Sequence, residues 1–293
     1  MTTKKIVLSD LIHHSYNNFG LGEKRQAVLF EPDTINVNTH INCKQLSKQF
    51  DSMVESDISN VSKDKLQIGI DEAGRGPLLG SVTVSAVMLP SDLSGLFSEL
   101  DLSNTPISSI NDSKKISEKK REALFEIIPK VAIGYSIVEV PASVIDEINI
   151  LQASLLGMRI AGDELLAALM SEVNKAGLST KNQPMLFLYD GNKVPQVDTE
   201  FYQTLGLHAS QTTQQAVVKG DATDSSIAAA SILAKVSRDA LMYALAKKHP
   251  NYKIENHKGY PTKAHIEAIQ KHGVLAEHRR SFAPVKRALE GQE

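Results

Sequence analysis

The alternation of hydrophobic and polar positions changes character at Leu66. Before it, polar stretches such as "SYNNFG", "NVNTHINCK" and "ESDISNVSKD" interrupt short apolar pieces such as "AVLF", with no sustained period. That texture predicts a weakly ordered N-terminal extension over residues 1–64, with a helix near 44–56. After Leu66 the apolar runs become regular. "LQIGI" (66–70) reads as a short strand, and the β-branched "SVTVSAVML" (81–89) as a second. Ser117 is placed to cap a helix in "ISEKKREALFEIIPK", where Ala123, Leu124, Ile127 and Ile128 share one face. "VAIGYSIVEV" (131–140) predicts a third strand, and a long helical pattern runs over 143–173 with a break expected near Gly157. "PMLFLYD" (184–190) is a continuous apolar run ending in a carboxylate, the pattern of a buried central strand. "AVVKGD" (216–221) is a shorter version. A strong helix follows in "SSIAAASILAKVSRDALMYALAKKH", and more helix is expected at 261–272.

Strands first, then alternating helices and strands, predict an α/β fold with a mixed sheet and helices on its faces. The division that follows is an extension, residues 1–64, and a catalytic domain, residues 65–293, whose C-terminal part (about 247–293) is basic and helical. In such sheets functional groups gather at strand ends.

Composition adds limits. The chain has 293 residues, with 42% hydrophobic and 23% charged, as in an ordinary globular protein. Cys43 is the single cysteine, so no internal disulfide forms and a reducing, cytoplasmic setting is expected. No signal peptide and no membrane span are expected, because no apolar stretch approaches about 18 residues. The net charge of −2 hides an asymmetry: residues 235–293 hold twelve Lys or Arg against six Asp or Glu, and residues 65–234 hold thirteen against twenty. A basic tail beside an acidic centre fits a phosphate-binding face next to a metal site, or simply a solvated helical surface.

Three apolar runs end in acids: Asp71 and Glu72 after "IGI", Asp190 after "LFLY", and Asp221 after "VVKG". Taken singly, Asp190 in "DGN" reads as a turn residue, and Asp221 as a cap for the helix starting near Asp224. If the three strands are neighbours, four carboxylates converge and need a counter-charge. Hard oxygen donors with little His or Cys favour Mg²⁺ or Mn²⁺. Two such ions about 4 Å apart clamp the attacking and leaving oxygens of a phosphodiester. No HExxH, CxxC, GxSxG or P-loop pattern is present. His257, His265, His272 and His278 are too scattered for a zinc site and read as surface or phosphate-contacting residues.

The motifs "GIDEAGRGPLLGSV", "INDSKKISEKKREALFEII", "DEINILQASLLGM", "YDGN", "VVKGDATDSSIAAASILAKVSRD", "HKGYPT" and "HRRSFAPVKRAL", in that order, resemble bacterial ribonuclease HII over most of residues 66–290. The resemblance implies an RNase H-like domain with a C-terminal helical part. It implies an endoribonuclease that cleaves RNA in RNA·DNA hybrids and cuts 5′ of single ribonucleotides in duplex DNA, leaving 3′-OH and 5′-phosphate ends, with a role in DNA repair. Asp71, Glu72, Asp190 and Asp221 would then hold Mg²⁺ or Mn²⁺ in a two-metal site. Gly74, Arg75 and Gly76 would read the 2′-OH, and Tyr260 would pack against the nucleic acid. Lys114, Lys115, Lys235, Arg238, Arg279 and Arg280 would contact the substrate backbone. Such an enzyme is expected to work as a monomer. Two departures stand out: the extension before residue 65, and a longer segment between Val194 and Thr213. Two rival readings share the acids. One is another nuclease of this fold with no need for a 2′-OH, and the other is a nucleic-acid-binding module without catalysis.

Overall fold

The computed structural model describes residues 2–6, 35–55, 66–110, 116–180 and 183–291. Among them, seven strands form one mixed sheet: β1 (Thr2–Ile6), β2 (Ile35–Ile41), β3 (Leu66–Ala73), β4 (Val82–Met88), β5 (Gly134–Val140), β6 (Met185–Asp190) and β7 (Thr212–Val217), in spatial order β1-β2-β5-β4-β3-β6-β7. The helices are α1 (Cys43–Glu55), α2 (Glu118–Val131), α3 (Ala142–Lys175), α4 (Thr199–Thr204), α5 (Ser225–Lys248), α6 (Ile254–His257), α7 (Lys263–His272) and α8 (Ala283–Glu290). β3, β4 and β5 form an antiparallel meander, and β6 and β7 continue the sheet parallel to β3.

Each face of the sheet carries its own core. On one, α3 lays Leu156, Ile160 and Leu165 against Ile68, Ile70, Val84, Val138 and Phe187. On the other, α2 and α5 bring Leu124, Ile128, Ala228, Ala229 and Ile232 onto Val87, Tyr135 and Ile137. The small residues of α5 let it approach closely. A Cβ on Gly69 would lie 2.2 Å from the Ser226 backbone, so the helix start is pressed onto β3. A third cluster, with Leu78, Leu79, Met242, Tyr252, Ile269 and Val285, joins the C-terminal helices to the loop after β3. The mixed sheet with helices on both faces is the α/β architecture expected from the order of strands and helices.

The structure differs from the pattern reading in three places. Within residues 1–64, taken as a weakly ordered extension, β2 is a strand of the sheet and α1 packs on its core. Ile35, Val37 and Thr39 alternate inward and Asn36, Asn38 and His40 less so; the Asn-rich outer positions disguised a period of two. The helix near 44–56 is α1. The break in α3 falls at Asn149, with φ 67° and ψ 164°, and not near Gly157. There the Asn149 Oδ1 accepts from the N–H groups of Leu151 at 3.0 Å and Gln152 at 3.1 Å, restarting the helix as a cap does. Finally, the last strand is Thr212–Val217, not 216–221. It is an edge strand with an exposed polar row, so its apolar signal is weak.

Candidate active site

Parallel pairing of β3 with β6 and of β6 with β7 brings three chain exits side by side. Asp71 and Glu72 lie near the end of β3 and Asp190 is the last residue of β6. Asp221 lies just past β7, in the 3-10 turn Gly220–Ala222. Lys219, in the left-handed region at φ 58°, turns the chain there. Asp190 fixes this turn: its Oδ1 accepts from the Gly220 N–H at 2.7 Å and, at 3.5 Å, from that of Asp221.

The helix-cap role open to Asp221 belongs instead to Asp224. Its Oδ1 accepts from the N–H groups of Ser226 and Ile227, and its Oδ2 from Gln67 Nε2 at 2.8 Å. Asp221 is buried beside the cap without being part of it.

Burial is the main electrostatic fact at the site. It pushes the Asp71 carboxyl well above the usual carboxylate range, and the charges of Glu72 and then Asp190 push it further. Burial also raises Glu72, while Arg75 pulls it back and Asp190 adds to the rise. Arg75 Nη1 lies 3.3 Å from Glu72 Oε1, and the other oxygen, Oε2, is buried with no hydrogen-bond partner. A buried carboxylate oxygen without a donor is costly unless something cationic meets it. The donor set is oxygen-only, as Mg²⁺ or Mn²⁺ prefers. Among the described residues no group of three or more His, Cys, Asp or Glu is placed so as to hold a metal ion by itself.

The Gly74-Arg75-Gly76 stretch leaves β3 beside these acids. Gly74 has φ 97°, and a Cβ there would fall 1.9 Å from Arg238 Nε. Tyr260 stands over Gly76, its Cε1 3.4 Å from where a Cβ would be, and its side chain is exposed. The structure therefore brings the Gly-Arg-Gly stretch, Tyr260 and the acids into one region.

The basic residues divide. Arg280 is exposed, with its backbone N–H held by Asp146 Oδ2 at 2.8 Å. Lys235 reaches Asp239 at 2.7 Å. Arg238 and Arg279, expected on the substrate backbone, are instead among the most deeply buried side chains. The Arg279 guanidinium donates to the carbonyls of Gly74, Arg75, Gly80 and Ser81 at 2.6–3.0 Å. Arg238 donates to the Lys258 and Leu79 carbonyls at 3.3 Å. Their positive charge is spent on backbone carbonyls around the loop, which a sequence pattern cannot distinguish from a surface cation. Lys114 and Lys115 lie outside the described residues. The expectation for the histidines also fails in part: His257, His265 and His278 are buried together, because α6, α7 and the segment after α7 fold back on one another.

Lys258 was not singled out from the sequence. Its ammonium sits 2.8 Å from both Glu118 and Asp239, tying the start of α2 to the Tyr260 loop. Burial opposes its charge, but these two carboxylates outweigh that and hold its pKa above the usual lysine value. Asp146 was missed too, since its ligands, Arg280 and Ser281, lie far along the chain. Its only sequence signal is its place in "DEINI".

A family model described as ribonuclease HII matches residues 68–285. The ribonuclease HII of Psychrobacter arcticus is 49% identical over 257 residues, covering 87% of this chain and 88% of that protein. The ribonuclease HII of Acinetobacter baylyi is 46% identical over 221 residues, covering 75% and 96%. Among solved structures, ribonuclease H2 from Pyrococcus horikoshii aligns with a TM-score of 0.48 and 24% identity, covering 77% of this chain and 97% of that one. With a family match over most of its length and relatives at this identity, the chain belongs to the ribonuclease HII family and is an endoribonuclease acting on RNA in RNA·DNA hybrids.

Proposed function

We propose that this enzyme depends on Mg²⁺ or Mn²⁺ held by Asp71, Glu72, Asp190 and Asp221. In this reading it cuts hybrids and also cleaves on the 5′ side of a single ribonucleotide in duplex DNA, leaving 3′-OH and 5′-phosphate ends. The carrying observation is the convergence of these acids at three adjacent strand exits, with a buried Glu72 oxygen that no protein group meets. Bound there, divalent ions would supply Lewis-acid stabilisation of charge on the attacking and leaving oxygens.

The chain's own groups do the rest. Asp71 is buried and Glu72 half-buried, and burial raises both carboxyls, a penalty that a bound cation would relieve. Asp190 holds the Lys219–Gly220 turn with one oxygen, which fixes where Asp221 stands. Arg75 partly offsets Glu72 and lies at the exposed edge, where it can meet the substrate. Backbone groups of Gly74 and Gly76 can approach a ribose closely, and a 2′-OH offers both donor and acceptor. Tyr260 offers an exposed ring for packing against the nucleic acid. Arg280, Lys235 and the segment with Lys114 and Lys115 carry phosphate contacts. Arg238 and Arg279 act through the loop they brace.

A nick at a ribonucleotide is the opening step of its removal from DNA, so the role is in DNA repair. All four acids come from one chain, so a monomer suffices. The free, exposed Cys43 suits a reducing cytoplasmic setting. No helix among the described residues is long and apolar enough to cross a membrane.

The test is cleavage of end-labelled duplexes carrying zero, one or four ribonucleotides, with and without EDTA. Metal-dependent cuts 5′ of the single ribonucleotide, and none in all-DNA duplex, are expected. Cutting in EDTA, cutting of plain DNA, or inactivity on the single ribonucleotide would each overturn part of the reading.

A further inference from the structure

Behind Tyr260 lies a chain of hydrogen bonds with only one consistent direction. His278 Nδ1 accepts the Leu275 N–H at 2.8 Å, so a neutral His278 carries its proton on Nε2. His265 Nδ1 is 3.0 Å from the Tyr260 carbonyl, which can only accept, so His265 carries its proton on Nδ1. Its Nε2 is left as an acceptor, 3.1 Å from His278 Nε2. The order is fixed: Leu275 N–H to His278, His278 to His265, His265 to the Tyr260 carbonyl. A proton on either ring's free lone pair would break a bond. Burial lowers both rings to about 4, so both are neutral near pH 7.

The rings are held from the sides. His257 stacks on His265 with centroids 4.2 Å apart, and Tyr252 lies against His278 at 5.8 Å. His257 is itself fixed, donating from Nε2 to the Tyr252 carbonyl and accepting at Nδ1 from the Gly259 N–H. The neighbour of His278 is Arg279, which grips Gly74 and Arg75. The backbone here is tied to the same loop: Arg279 N–H donates to the Leu78 carbonyl at 2.8 Å, and Gly80 N–H to that of Glu277 at 2.9 Å. The His278-Arg279 dipeptide thus links the Tyr260 segment to the Gly-Arg-Gly loop.

We propose that His278 and His265 form a one-way hydrogen-bonded strut that positions Tyr260, and that Arg279 keeps the strut in register with the Gly-Arg-Gly loop. The functional consequence rests on the reading of Tyr260 as a substrate contact. His265 and His278 are positioning residues, because both are buried and only Tyr260 is presented outward.

The chain has no tryptophan, so Tyr260→Trp places a single indole at the site. His265→Phe keeps a ring in the stack and removes both hydrogen bonds, whereas His265→Asn can still donate to the Tyr260 carbonyl but cannot reach His278. In the Tyr260→Trp background, acrylamide quenching should rise about twofold with His265→Phe and by less with His265→Asn, since losing a link frees the segment it held. In the protein with Tyr260, His265→Phe should raise KM for an RNA·DNA hybrid roughly fivefold and change kcat by less than about twofold, the signature of lost binding order. Unchanged quenching in a folded His265→Phe variant overturns the strut. Raised quenching with unchanged KM upholds the strut and removes Tyr260 from the substrate contacts. If His265→Phe fails to fold by circular dichroism, His265→Asn decides by the same two measurements.

Discussion

Arg279 Nη2 donates to the Gly74 carbonyl at 2.6 Å, while the other side of Gly74 is closed by Arg238, 1.9 Å from where a Cβ would begin. The loop that leaves the acids is therefore held between two buried guanidiniums. Burial and the nearby charge of Arg238 bring Arg279 down to about 9, still cationic at neutral pH, so its hydrogen bonds to the loop are charge-assisted.

Gly74→Ala is expected to be severe. The left-handed conformation alone costs an alanine roughly 1–2 kcal/mol. The new methyl must also push Arg238 away from the Lys258 and Leu79 carbonyls, exposing unmet acceptors. A stability loss of about 3 kcal/mol in urea unfolding is expected, with roughly a hundredfold lower kcat/KM. Stability and turnover like the parent would show that the loop can re-form without this turn.

Residues 1–55 should not be dispensable. Ile35, Val37, Leu46 and Phe50 all lie in the main core, and β2 covers β5. Removing them gives up on the order of 5 kcal/mol of apolar burial and bares a sheet edge. The truncated protein should melt well below the full chain or aggregate. A soluble truncation with an unchanged melting temperature would make this strand an accessory.

That contrast shows what the sequence discloses. Central strands are buried on both faces, so "PMLFLYD" is a continuous apolar run and "LQIGI" a nearly apolar one, and the acids that end or follow them are visible at a glance. The strands that carry them, β3, β6 and β7, are neighbours in the sheet. β2 was hidden because its outward positions are Asn and His, which also make loops. Arg238 and Arg279 were misplaced because a letter for arginine does not say whether its fork meets a phosphate or a carbonyl. The histidine strut was invisible because its members are thirteen residues apart and meet only through the fold.

Asp221→Asn should separate chemistry from binding. Asp221 is buried at the β7 exit, and an amide keeps its size while removing its charge. Cleavage at saturating Mg²⁺ should fall about a thousandfold, in keeping with loss of a metal-facing charge. Hybrid affinity, measured by anisotropy in EDTA, should change less than about twofold. Turnover near that of the parent would remove Asp221 from the site.

The pH dependence of stability follows from Asp71 and Glu72. Burial, first of all, raises both acids above their values in the unfolded chain. Between the unfolded and folded values the native state holds protons that the unfolded chain has released. Stability therefore falls with rising pH across that window. The contribution is complete below the ordinary carboxylate value and is lost as pH climbs through the raised ones. A divalent cation competes for the same oxygens, so its stabilising effect must grow as the protons leave. In EDTA the melting temperature should decline as pH rises above the ordinary carboxylate range, and millimolar Mg²⁺ should restore more of it at the higher pH. Asp71→Asn should flatten both trends, because it removes the most strongly shifted of the two acids. Differential scanning fluorimetry over that range measures all three. An Mg²⁺ effect that is the same at both ends, or that survives in Asp71→Asn, would mean that the ion binds elsewhere.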